Sequence, residues 1–249
     1  MLVLRDHGVA DYTGLLDMDA TDVGVLTEDD RACLAELGEY LASTQAWRRF
    51  AVWLLHKHFE PADGEIFVEH ATAQRGLETT LVPRSELSPQ QVSASGIRFD
   101  AQDDSDVSVI ALEFAEPADF GPTTPLSADD ETVLAGIAQR LRAHHKIDRF
   151  GVKLIRNPLD LSEDELLLET CDSAIRTLYC DIGTRDALPA DLDIVETTWR
   201  WNVVAGEGRP VVMQECAAGC VPAVAEGHDL RHGHSGTDND DNPIGPVYP

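Results

Sequence analysis

The chain has 249 residues, with 45 Asp and Glu against 19 Lys and Arg, a formal net charge of −26. Its 43% hydrophobic content is that of a chain that buries a core, so the acidity does not signal intrinsic disorder. The same charge repels a phosphate backbone and argues against a nucleic-acid binder.

Taken from the N-terminus, Met1 to His7 shows no basic stretch followed by an apolar one, so no signal peptide is expected. The longest apolar run, Phe50 to Leu55, falls far short of the roughly 18 residues that span a bilayer. Five cysteines without the spacing of a disulfide framework point to a reducing, cytoplasmic home. The acidic, lysine-poor composition fits either a halophilic protein in a salty cytoplasm or the codon bias of a GC-rich genome, and neither names a function.

The first predicted helix opens at Thr27, an N-cap residue with Asp30 in the capping-box position, and carries Cys33, Leu34, Leu37 and Leu41 at helical spacing. Strands are expected over 51–59 and 65–71, joined by a turn at 60–64, and then near 77–82, 93–100 and 106–114. The segment 115–125 reads as a connection. A second helix starts at Ser127 with Asp130 three residues on, carries Leu134, Ile137 and Leu141, and ends in a basic cluster, Arg140, Arg142, His144, His145 and Lys146. That charge complements a helix C-terminus and calls for no ligand. Strands follow over 151–157, 165–171, 174–181, 194–203 and 210–216.

The second series of elements repeats the first. Residues 26–70 align without a gap to 126–170 with twelve identities, among them Asp30 with Asp130, Arg49 with Arg149, Phe50 with Phe150 and Glu69 with Glu169. Farther on the offset grows to 102, placing Arg98 against Arg200 and Glu113 against Glu215. The expected fold is therefore α+β: an internal duplication of a helix followed by an antiparallel β-meander, in two pseudo-symmetric halves. The units expected are 1–115 and 116–234, with a flexible tail over 235–249.

Charged residues shared by both copies want partners inside strands, and a cross-strand Glu–Arg pair in each half is one reading of them. The other is an anion-binding cleft at the axis, lined by Arg98 and Arg200. Features present in one copy alone are candidates for specialisation. His56-Lys57-His58 closes a strand where the second copy has Arg156-Asn157-Pro158, and residues two apart in a strand share a face. His70, at the end of the next strand, could join them if the hairpin registers simply. Near the C-terminus Cys216, Cys220, His228, His232 and His234 fall within 19 residues, although the spacing from Cys220 to His228 is too short for a zinc finger. Against the metal reading stand rim histidines in solvent and two buried thiols before a polar tail.

The function expected is a soluble metal-binding protein of unnamed reaction, its ligands drawn from His56, His58, His70, Cys216, Cys220, His228, His232 and His234. The cofactor is a transition-metal ion, zinc first, with copper and iron as alternatives. The rival is a non-catalytic scaffold that binds a small anion or a protein partner in the arginine cleft. A small molecule or a second copy of the chain is the expected partner, and nucleic acid and membrane are not. No phosphate-binding loop or nucleophile elbow is present in the sequence, and whether the chain is an enzyme stays open.

Overall fold

The computed structural model describes residues 3–18, 25–73, 75–88, 91–100, 108–116, 126–155, 159, 161–162, 164–188, 194–204 and 211–221. The two long helices form where their caps place them. In α2 (Glu28–Ser43) the Asp30 N–H donates to Thr27 Oγ1 at 3.1 Å, and the Thr27 N–H donates to Asp30 Oδ2 at 2.9 Å. The α3 helix (Ala128–Ala143) repeats the box through Ser127 and Asp130, at 3.1 and 2.8 Å. Each box satisfies backbone N–H groups that the first turn would otherwise leave bare. A shorter helix, α1 (Val9–Thr13), precedes them.

The strands are β1 (Val3–Asp6), β2 (Leu16–Asp17), β3 (Phe50–Leu54), β4 (His56–Lys57), β5 (Glu65–Ala71), β6 (Leu77–Pro83), β7 (Ser93–Phe99) and β8 (Ser108–Ala115). After α3 come β9 (Phe150–Leu154), β10 (Glu165–Asp172), β11 (Thr177–Thr184), β12 (Val195–Val204) and β13 (Val211–Cys220). Ten of them pair in the order β8-β5-β6-β11-β10-β13-β12-β3-β9-β7, and β7 pairs with β8 to close the ring. β1 lies parallel to β8 outside that ring, and β2 pairs separately with β4.

The expected α+β fold, with a helix and its own meander in each half, is overturned by this closed β-barrel. Neither half keeps its strands to itself. β3 pairs with β9 and β12, and β6 pairs with β11, so partners come from segments about 100 residues apart for β9 and β11 and about 145 for β12. Two further ladders, β5–β8 and β10–β13, are parallel, which a meander cannot produce. Local alternation signals a strand and a nearby hairpin but carries no information about a distant partner. Closing the ring satisfies edges that two separate sheets would leave bare.

Residues matched at offsets near 100 occupy equivalent places around this one barrel. Val52 faces Val152 across the β3–β9 seam, and Glu78 faces Tyr179 across β6–β11. Arg176 forks onto Glu65 at 2.7 and 2.9 Å, while Arg75 reaches Glu165 at 3.2 Å. One pairing from the sequence fails: Glu113 lies opposite Gly96 and Phe67, the place that Ala218 takes opposite Thr198 and Leu167, and Glu215 lies elsewhere. Register slips in both β7–β8 and β12–β13 shift the correspondence there.

The main core lies between the barrel wall and the two long helices. Leu34, Leu37 and Leu41 of α2 and Leu134, Ile137 and Leu141 of α3 pack on Phe50, Val52, Phe150, Val152, Trp199 and Trp201. The opposite strand faces turn into the barrel and carry Trp53, Lys153 and several carboxylates. Among the described residues no helix is long and apolar enough to cross a membrane.

Gly38 of α2 rests on the indole of Trp201, where a Cβ would overlap the ring. Replacing Gly38 with Ala should destabilise the fold by about 1–3 kcal/mol through overpacking, outweighing the gain of about 1 kcal/mol in helix propensity. Denaturant unfolding monitored by tryptophan fluorescence reads this directly.

Candidate metal centre

The site forms where three chain segments meet at one end of the barrel. β3 is wholly buried, and just beyond it the Leu55 N–H donates to Arg149 O at 2.9 Å, so the chain is still anchored as it enters β4. His56 and Lys57 form β4, and His58 follows it. β10 and β13 run side by side in parallel with Glu169 directly opposite Cys220, and the Val221 N–H donates to Glu169 O at 2.9 Å. Backbone pairing therefore fixes the carboxylate against the thiol.

His56, His58, Glu169 and Cys220 present one ligand atom each, all within 4.8 Å of one another. Cys220 Sγ lies 3.3 Å from His56 Nε2 and 3.3 Å from His58 Nε2, and the thiol donates to Glu169 Oε2 at 2.8 Å. His56 Nε2 is 3.8 Å from the same carboxylate oxygen. The two imidazoles meet edge to face with centroids 5.0 Å apart. Tetrahedral zinc, with bonds of about 2.0–2.3 Å, needs donors about 3.3–3.8 Å apart; three of these separations lie in that range, and the 2.8 Å Cys220–Glu169 contact would have to open.

Protonation sharpens the case. His56 Nδ1 sits 2.7 Å from Leu54 O and donates there, which leaves Nε2 as a lone pair aimed at the cluster. Burial pulls His56 down to about 4 and His58 down to about 3, the second helped by the nearby His56, so neither imidazole carries a proton charge near neutrality. Burial also pushes the Cys220 thiol well up, and the adjoining Glu169 carboxylate pushes it further. An isolated Cys220 is thus a poor nucleophile. The His56 Nε2 lone pair, the Cys220 thiol and the Glu169 carboxylate are thus brought together in a buried space, an arrangement that could hold a cation.

Around the donors, Thr197 Oγ1 lies 3.0 Å from Glu169 Oε2 and 3.2 Å from Ala218 O, bracing the carboxylate. A cavity of about 20 Å³ adjoins the site, walled by Tyr12, Trp53, Phe67, Thr79 and Glu113 together with His56, His58 and Glu169. Next to it Lys153 Nζ bonds Glu113, lies 3.3 Å from Glu69, and sits 4.7 Å from the Trp53 ring centre. Burial pushes the Glu113 carboxyl up against the pull of Lys153.

Of the residues expected as ligands, His56, His58 and Cys220 meet and Glu169 joins them. His70 points out of the barrel beside Glu116, with Nδ1 3.8 Å from its carboxylate, because neighbouring Glu69 takes the inward direction. Cys216 packs with Leu166, Leu168 and Val221, away from the cluster. The register slip at Ala217 reverses the alternation between the two cysteines, so residues four apart end on opposite faces. His228, His232 and His234 lie outside the described residues. Arg98 donates to Asp11 O at 3.0 Å and pairs with Asp148 at 3.3 Å, while Arg200 pairs with its cross-strand neighbour Glu215 at 3.1 Å. Both guanidiniums are engaged. The sequence signal for Glu169 was a carboxylate placed inside a strand among apolar residues.

No known protein family, curated protein or solved structure matches the chain.

Both site histidines titrate lower in the fold than their ordinary 6.5, so the unfolded chain takes up protons first as pH falls. Stability of metal-free protein should therefore decline from about pH 6.5 down to about pH 4 for His56 and about pH 3 for His58, by roughly 3–5 kcal/mol per histidine. His56→Asn removes one of these groups, and its stability should fall less steeply over that range in denaturant titrations. Parallel wild-type and variant curves would show that His56 is not buried neutral.

Proposed function

We propose that the protein binds one transition-metal ion, zinc first, through His56 Nε2, His58 Nε2, Glu169 Oε2 and Cys220 Sγ. The observation that carries this reading is the convergence of four donors of metal-ligand type within 4.8 Å. Two imidazoles, a thiol and a carboxylate form a borderline-soft set that suits zinc. On binding, the Cys220 thiol gives up its proton and becomes a thiolate ligand.

Four protein donors complete a tetrahedron, which is the pattern of structural rather than catalytic zinc. The adjoining space, about 20 Å³, holds about one water and leaves no room for an organic substrate. The role that fits is a staple: the ion ties the segment after β3 to Glu169 within β10 and to the end of β13, which are far apart in sequence. Two imidazoles with one thiolate also suit copper, so the ion bound in competition decides between them.

Untagged protein purified without chelators should carry about one ion per chain by elemental analysis, with zinc above copper and iron. Cys220→Ser and His56→Ala should each lower occupancy at least about tenfold, while Cys216→Ser should leave it unchanged. A hundredfold excess of zinc over its dissociation constant should stabilise metal-free wild type by roughly 3 kcal/mol and leave the Cys220 variant unaffected. A wild-type chain with no ion and no thermal response to zinc, copper or iron overturns the reading.

A further inference from the structure

The four donors lie behind the N-terminal segment, which is attached to the barrel without belonging to its closed ring. β2 pairs in parallel with β4, Leu16 with His56 and Asp17 with Lys57, and the Met18 N–H donates to Lys57 O at 3.0 Å. Met18 is buried against Cys220 and Val195. Tyr12 walls the cavity and its hydroxyl donates to Leu112 O at 2.5 Å. Farther back, His7 has Nδ1 3.0 Å from Ala111 O and Nε2 3.2 Å from Glu65 O, pinning the segment to β8 and β5.

An ion can touch the partly exposed His58 from solvent but cannot reach all four donors unless something moves. Cys220 is 0% exposed, and His56 and Glu169 are 5% exposed each. Displacing a ring strand breaks a ladder on both sides, whereas β2 is held by one ladder of two residue pairs. Local opening follows the element with the fewest buried contacts and hydrogen bonds. Swinging β2 away uncovers Cys220 and the back of His56 while leaving Glu169 and Cys220 on intact barrel strands.

We propose that residues 3–18 form a gate over the metal centre, opening by release of β2 from β4 and of Met18 from Cys220, and that this opening limits ion entry and exit. The gate rests on the metal reading above. It supplies no donor, so it governs exchange rates and not the strength of coordination.

The test uses full-length protein loaded with zinc, with release followed by stopped flow into excess chelator and affinity measured by competition. In wild type, release should be first order and independent of chelator concentration, and zinc should slow hydrogen exchange at the β2 and Met18 amides. Met18→Ala and Tyr12→Phe should each speed uptake and release about tenfold, the effect of losing one buried contact, with affinity moving less than about threefold. Release that scales with chelator concentration overturns the gate, as does a weaker affinity with unchanged uptake. If a variant fails to fold, the chelator dependence of wild type still decides. Wild type that binds no zinc instead sinks the metal reading itself, a different result from zinc that binds and leaves ungated.

Discussion

Closure of the sheet rests on two seams, β3 with β9 and β6 with β11, each joining segments about 100 residues apart. Without them the strands would form separate sheets with bare edges, and Phe50, Val52, Phe150 and Val152 would lose the shared wall on which both long helices pack. The seams also create an enclosed interior. Side chains that a flat sheet would leave in water are turned inward together, and their charges must be answered there.

The interior answers them unequally. Glu69 and Glu113 share Lys153, which also lies over Trp53. Lys153 and Trp53 stand at matching positions 100 residues apart, so a single lysine serves this interior where strict symmetry would place two or none. Glu169, the counterpart of Glu69, meets Thr197, Cys220 and the two imidazoles instead. A metal ion there would stand to Glu169 as Lys153 stands to Glu69. One half of the barrel balances its buried carboxylates with an ammonium, and the other gathers two imidazoles, a thiol and a carboxylate that could hold a metal ion.

The location of the centre at a barrel end follows from strand lengths. β3 stops at Leu54 and β13 stops at Cys220, so the residues just beyond β3 and at the tip of β13 converge where the ladders run out. There the backbone can turn side chains inward without losing sheet hydrogen bonds. The N-terminal segment covers this end with a short ladder, so His56 and Cys220 are buried beside a strand paired on one side only.

Local chemistry, readable in the sequence, determined the capped helices at Thr27 and Ser127, most of the strands, and the residue types worth suspecting in His56, His58 and Cys220. Those features depend on neighbours a few residues away, and neighbours are what a sequence displays. The tertiary structure alone decided that the strands close into a barrel, that a slip at Ala217 removes Cys216 from the site, that Glu69 turns His70 outward, and that Glu169 completes the donor set. Each of these depends on register between segments brought together only by folding, where a shift of one residue sends a side chain to the other face of the sheet.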